Sequence, residues 1–117
     1  MKKAFAVMAF AAVMSLSSVA FAADGKNRKV VVDNVSSQSI YNLYASPVTS
    51  TIWEEDLLGD GTIPSGTTKT ANIDNGTAEC YYDLKAVMAN KAEHVKRRVN
   101  VCAVSKWVIG DSGDSIQ

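Results

Sequence analysis

The chain of 117 residues holds one histidine, two cysteines, two prolines and no net charge. Each scarcity excludes a class of function. With His94 alone, no pair of imidazoles is available for zinc, and no nucleophile with a supporting base is visible around it. Cys80 and Cys102 stand too far apart for a Cys-x-x-Cys site. The balance of 12 basic against 12 acidic residues provides no basic stripe for nucleic acid. Repeats and low-complexity tracts are absent too, and the length allows one small domain.

What is present begins with a leader. Met1-Lys2-Lys3 precedes an apolar run from Ala4 to Met14, a serine-interrupted stretch, and Val19-Ala20-Phe21-Ala22. A basic start, a short apolar middle and a small-x-small end make a secretory signal peptide over 1–22. The uncharged stretch from Ala4 to Ala23 covers 20 residues, which raises the question of a membrane anchor. Its alanine-rich composition, its serines and the lack of a basic flank favour cleavage after Ala22, with no stable membrane anchor left. No cysteine follows the site to carry a lipid. Cleavage leaves 95 residues with 10 basic and 12 acidic side chains, and removes all three phenylalanines. A domain of that size buries a limited fraction of its surface. In an oxidising compartment, periplasmic or extracellular, a Cys80–Cys102 disulfide would add roughly 3 kcal/mol.

The remainder reads as a single β domain over 23–110 with a flexible tail at 111–117. Val30–Val32 and Ile40–Ala45 are rich in β-branched and aromatic residues, and the polar stretch 34–39 between them suits a turn. Thr67–Ile73 follows the turn sequence Ile63-Pro64-Ser65-Gly66, and Asn75-Gly76 marks another. Glu79–Ala89 and Val95–Val104 are the longest strand candidates, and Trp107–Ile109 adds a short one. Thr51-Ile-Trp-Glu54 forms a capping box that predicts one short helical turn ending at Gly59. Trp53, Leu57 and Leu58 would then dock one face of that turn and keep the long 47–66 connection ordered. The expected fold is an all-β antiparallel sandwich or small barrel of five to six strands.

Alternation within the two long strands bears on the cysteines. Pairing Leu84 with Val99 and Tyr82 with Val101 matches apolar to apolar, but it sets Cys80 against Ala103. A bulge near Asn100 would reconcile this register with a disulfide. The alternatives are a disulfide between strands that are not direct neighbours, or two free thiols.

Ile40-Tyr41-Asn42-Leu43-Tyr44-Ala45-Ser46-Pro47, Trp53 to Gly59, Ile63-Pro64-Ser65-Gly66 and Cys80-Tyr81-Tyr82-Asp83-Leu84 occur in that order. The set resembles a family of small exported bacterial proteins with the pattern I-x-x-L-Y-x-S-P, W-x-x-D-x-L-G, I-x-x-G and C-x-Y-D-L. Trp53-Glu54 stands where that family usually has Trp-Gly. The resemblance covers Val30 to Cys102 and implies an exported single-domain protein without assigning an activity. Some relatives carry the label argininosuccinate lyase. That enzyme is a large helical oligomer with a Gly-Ser-Ser-x-Met-Pro signature, and the present chain has neither the size nor the signature.

Five groups of residues bear on function. Glu54, Glu55, Asp56 and Asp60 could hold calcium through oxygen ligands, although the spacing is not that of an EF-hand and the simpler reading is a solvated acidic rim. Lys91, His94, Lys96, Arg97 and Arg98 form a basic end, with alternation sending Lys96 and Arg98 to one face and Arg97 to the other. Tyr41, Tyr44, Tyr81 and Tyr82 divide between core and surface, and outward tyrosines together with Arg97 and Arg98 suit an interface. Trp53 and Trp107 are expected as core anchors. Finally, Gly110-Asp111-Ser112-Gly113 looks like a serine-protease nucleophile loop, but its place in the tail and the missing triad partners remove that reading.

These features point to a periplasmic or secreted, non-enzymatic binding protein of the cell envelope with a protein partner and no resident cofactor. An envelope inhibitor or immunity-type protein is one form of it. A calcium-binding β module using residues 53–60 is the alternative, and a small hydrolase ranks last.

Overall fold

The computed structural model describes residues 27–104 and 106–117, so the expected leader over 1–22 lies outside the described residues. Among the described residues seven strands form: β1 (Lys29–Asn34), β2 (Ile40–Pro47), β3 (Thr68–Asn72), β4 (Tyr81–Met88), β5 (Glu93–Asn100), β6 (Lys106–Ile109) and β7 (Asp114–Ile116). They build two sheets, ordered β3-β1-β6-β7 and β2-β4-β5. All neighbours are antiparallel except β1 and β6, which run parallel. A parallel pair needs a long crossover. Here β2 to β5 supply it, in a sandwich-like arrangement.

Alternation explains which face is inside. In β4, Tyr82, Leu84, Ala86 and Met88 are buried, while Tyr81, Asp83, Lys85 and Val87 face outward. Val30, Val32, Trp107 and Ile109 cover the inner side of the first sheet; Ile40, Leu43, Ala45, Tyr82 and Leu84 cover that of the second. With no phenylalanine beyond position 21, Trp107 and Tyr82 supply the aromatic volume of the core, and both are fully buried. Burial also pushes the Tyr82 phenol above its ordinary pKa, and its hydroxyl donates to Asn75 Oδ1 at 2.8 Å.

The buried Asn34 closes the end of β1. Its amide donates to the carbonyls of Gln38 (2.8 Å) and Ile63 (2.9 Å), and its Oδ1 accepts from the Ser36 amide and hydroxyl. A buried amide is costly unless its hydrogen-bonding groups are matched, and this one ties the β1–β2 turn to the 47–66 connection.

Three expectations are corrected. First, the capping-box residues Thr51 and Glu54 open no helix, and none occurs among the described residues. The connection instead makes tight turns, with Gly59 N on Asp56 O (3.2 Å) and Gly61 N on Leu58 O (2.8 Å). Its backbone groups find better partners on β2. Leu57 N donates to Leu43 O at 2.7 Å, and Ile40 and Ile63 exchange two bonds of 2.9 Å. The connection is therefore ordered by covering the edge of β2, a common way to protect an open strand. Leu58 and Ile63 are buried beneath it, but Leu57 remains exposed.

Second, the 111–117 tail, expected to be flexible, carries β7. Gly110 N donates to Gly113 O at 2.8 Å, so the Gly-Asp-Ser-Gly sequence is the turn of the β6–β7 hairpin, with Gly113 at φ 154°.

Third, the β4–β5 register differs by two residues at Tyr82 and by three from Leu84 onward. Tyr82 pairs with Val99 and Leu84 with Lys96. A bulge is present, but Arg97 and Arg98 form it opposite Asp83, short of Asn100. Arg98 takes a left-handed conformation at φ 54°. Two contacts fix that location. The Asp83 carboxylate accepts the Arg98 amide at 2.9 Å and the Arg97 guanidinium at 3.1 Å. The cysteines then bond from just beyond the paired strands, with 5.4 Å between their Cα atoms, and Val101 N on Cys80 O at 2.8 Å closes the pairing. This disulfide places the domain in a non-reducing, extracytoplasmic environment.

Candidate functional site

The outer face of the β2-β4-β5 sheet interleaves cations and aromatic rings. Strand pairing sets Tyr44 of β2 beside Lys85 of β4, and Lys85 beside Val95 of β5. The Lys85 ammonium lies 5.2 Å from the Tyr44 ring centre and 4.9 Å from that of Trp53, which the 47–66 connection lays over the sheet. Arg97 stands 5.6 Å from the same indole. Arg98 covers Tyr81 at 5.7 Å. Each contact falls within the range where a cation is drawn to the negative face of a ring, worth about 0.5–1 kcal/mol at an exposed site.

The bulge makes this surface possible. Strict alternation would send Arg97 and Arg98 to opposite faces; with the extra residue, both meet the outer side of β4 through Asp83 and Tyr81. The expected grouping of Lys96 with Arg98 is therefore corrected. Arg97 remains 67% exposed at its side chain despite the ion pair with Asp83. A small, mainly polar pocket opens beside it, with Ser46, Ser50, Ile52, Trp53, Asp83 and Arg97 among its lining residues.

Of the interface candidates, Tyr44, Tyr81, Arg97 and Arg98 are brought onto one face. Tyr41 stands apart as the extra residue of a second bulge, at the opposite end of β2, and is half exposed. Sequence reasoning missed Lys85 and Asp83, whose outward alternation with Tyr81 was the available signal. It also placed Trp53 in the core, where only Trp107 lies. Trp53 is only partly buried, because the absent helix leaves nothing to turn its ring inward.

The acidic residues of the 47–66 connection do not gather. Asp56 accepts from Asn42 Nδ2 (2.8 Å), Leu43 N (2.9 Å) and Leu58 N (3.0 Å), and so clamps the connection to β2. Glu54, Glu55 and Asp60 are exposed. No three histidine, cysteine or acidic side chains among the described residues stand together as a metal-holding group.

The other half of the basic end faces a different way. His94, expected in an exposed connection, lies within β5 and points to the seam between the sheets. Its Nδ1 is 3.3 Å from Asp114 Oδ1, while Asp114 Oδ2 accepts from the Trp107 indole at 2.7 Å and lies 3.6 Å from Lys96 Nζ. Burial opposes ionisation of Asp114, yet the bonds from Trp107 and His94 and the Lys96 charge outweigh it and hold the carboxyl below its ordinary value. This cluster fastens β7 and β5 across the sandwich. At the hairpin turn, hydrogen bonds from the Ser37 amide and hydroxyl likewise lower the Asp111 pKa.

In comparisons with known proteins, no family model, no curated protein and no solved structure matches this chain.

Proposed function

We propose that the protein is an exported, non-enzymatic binding domain of the bacterial cell envelope, periplasmic or secreted, and that the outer β2-β4-β5 face is where it meets a protein partner. One observation carries this reading: Tyr44, Lys85, Trp53 and Arg97 form a continuous run of stacked side chains on an otherwise solvated sheet, with Arg98 and Tyr81 beside them. Tyr, Trp and Arg dominate binding energy at protein interfaces, because they combine large contact area with directional polar groups. Rings and cations that already hold one another lose little further freedom on association. An envelope inhibitor or immunity-type protein is one form of this proposal.

The test is site-specific photo-crosslinking in producing cells. A crosslinker at Tyr44 or Tyr81 is expected to yield a discrete adduct of constant mass. The same group at Lys69 or Thr70, on β3 of the other sheet, is expected to yield none. Folded, oxidised protein that gives no adduct from the outer face, or equal adducts from both sheets, overturns the proposal.

A further inference from the structure

The cations on the outer face indicate the chemistry of the partner. Resting on the binding reading above, we infer that this face takes an extended acidic peptide segment of the partner, whose carboxylates meet Lys85, Arg97 and Arg98.

Three observations support this choice. The first is charge. Asp83 is the acid within the run, and its oxygens are already engaged by the Arg98 amide and the Arg97 guanidinium. The Lys85 and Arg98 side chains are held against aromatic rings and pair with no carboxylate among the described residues, so two cations and the exposed remainder of Arg97 are presented to solvent. Charge complementarity of this kind selects the partner and speeds encounter more than it raises affinity.

The second is the sheet edge. Among the described residues no strand pairs with the far side of β5, which leaves its outward backbone groups open alongside the arginines. An extended peptide can use such an edge together with side-chain contacts, as in recognition by strand addition. The charged residues Lys96, Arg97 and Arg98 and the bulge discourage two copies of this protein from pairing there, since like charges would face each other. An acidic strand removes that repulsion.

The third is scale. Recognition of anionic lipid surfaces calls for a cluster of four to eight Lys or Arg. This face offers three cations, on a chain whose 12 acidic residues equal its 12 basic ones. A uniformly negative membrane would also meet the exposed Glu54 and Glu55 that flank Trp53. A discrete segment can place its carboxylates on three points and avoid those two. For a sugar, the Trp53 ring is a poor platform, because Lys85 and Arg97 already lie within 6 Å of its centre.

The experiment is a titration of the oxidised protein, read at the Trp53 indole N–H by NMR. The probe is a ten-residue peptide alternating Glu and Thr. Two controls accompany it: the same peptide with Gln for Glu, and phosphatidylglycerol vesicles. The Glu peptide is expected to shift the Trp53 signal and leave Trp107 in place, with affinity about tenfold or more above that of the Gln peptide. Raising salt from 20 mM to 0.5 M shortens the screening length to a few Å and is expected to abolish the shift. Lys85→Gln combined with Arg98→Gln is expected to weaken binding by a similar factor, whereas Lys69→Gln on β3 has no effect.

Equal shifts with both peptides overturn the inference, as does a shift that survives high salt. So does vesicle binding without peptide binding. Because the salt series uses the unaltered protein, the inference stays falsifiable if the double variant fails to fold. A crosslinked adduct from Tyr44 or Tyr81 together with an inert Glu peptide rejects the acidic partner and leaves the binding face standing. Loss of the adduct rejects the face itself.

Discussion

Two regions of the molecule use the same three kinds of group and do different things with them. On the outer face, Asp83, the arginines of the bulge and Trp53 lie at the surface. At the seam, Asp114, His94, Lys96 and Trp107 lie between the sheets. Both clusters draw their cations from β5. The bulge at Arg97 and Arg98 separates them, because one extra residue reverses which side chains face out. The two acids, Asp83 and Asp114, are similarly shielded, at 17% and 13% side-chain exposure, and the difference lies in the partners they hold. The Asp114 side chain is 13% exposed and satisfies an indole N–H that is otherwise buried, so its bonds hold the fold together. Arg97 is 67% exposed, its pairing with Asp83 is screened by water, and its charge remains available to another molecule.

The two tryptophans test the comparison most severely. Trp107→Ala empties the core and is expected to cost about 3–5 kcal/mol in chemical denaturation. Trp53→Ala loses surface contacts with Lys85 and Arg97 and is expected to cost about 1 kcal/mol, while abolishing crosslinking from Tyr44. Equal losses would mean that Trp53 is a second core anchor.

Removing the disulfide attacks both regions at once, since it ties the chain after β5 to the start of β4 across 22 residues. Cys80→Ser with Cys102→Ser is expected to lower stability by about 3 kcal/mol in the same assay. A loss well below that would show that strand pairing alone sets the bulge.

The two carboxylates come next. Asp114→Asn is expected to cost about 1–3 kcal/mol and Asp83→Asn less than about 1 kcal/mol, because Asp114 serves the indole of the buried Trp107 whereas Asp83 pairs with an Arg97 side chain that is 67% exposed. The reverse order would assign the structural role to the outer face.

Acid titration sharpens the same contrast. Asp114 in the folded protein ionises below its ordinary value of 3.8, so the unfolded chain binds the proton more readily. Its contribution is therefore complete above the unfolded pKa and disappears as pH falls through the lower, folded one. Thermal melts from pH 5 down to pH 2 are expected to fall more steeply for the native protein than for Asp114→Asn. Parallel curves would remove Asp114 from the acid response.

Arg98→Gly has the smallest expected effect on stability. Glycine adopts the φ of 54° without the strain of a side chain, which is worth about 1 kcal/mol. That gain offsets the lost contact with Tyr81, and denaturation is expected to show a net change within about 0.5 kcal/mol. A large destabilisation would make the arginine part of the scaffold.

Much of this architecture was legible in the sequence. β-Branched and aromatic content together with turn signals marked six of the seven strands among the described residues, and the inward set of β4, Tyr82 to Met88, follows from side-chain period alone. The strand β7 was hidden because Asp114-Ser115-Ile116 is too short and too polar to show a period. The site was only half legible. Tyr44, Tyr81, Arg97 and Arg98 could be named as outward candidates, but their assembly depends on which residues face each other across strands. The capping box misled for a related reason: Thr51 and Glu54 carry a local signal worth about 1 kcal/mol, which the backbone bonds between this connection and β2 outweigh.

The sequence by itself determined the all-β class, the exclusion of two-histidine zinc chemistry and the one possible intramolecular cysteine pair, since these follow from composition and period. Only the tertiary structure decided where the bulge falls, which tryptophan is core and which acid binds which cation. Those outcomes depend on long-range contacts. At Tyr82 the register differs by two residues, which preserves inward and outward faces, so alternation cannot choose between those alignments. Beyond the bulge it differs by three, which turns Val95 outward and Lys96 inward. The choice rests on an Asp83 carboxylate meeting the amide of Arg98, fifteen residues away.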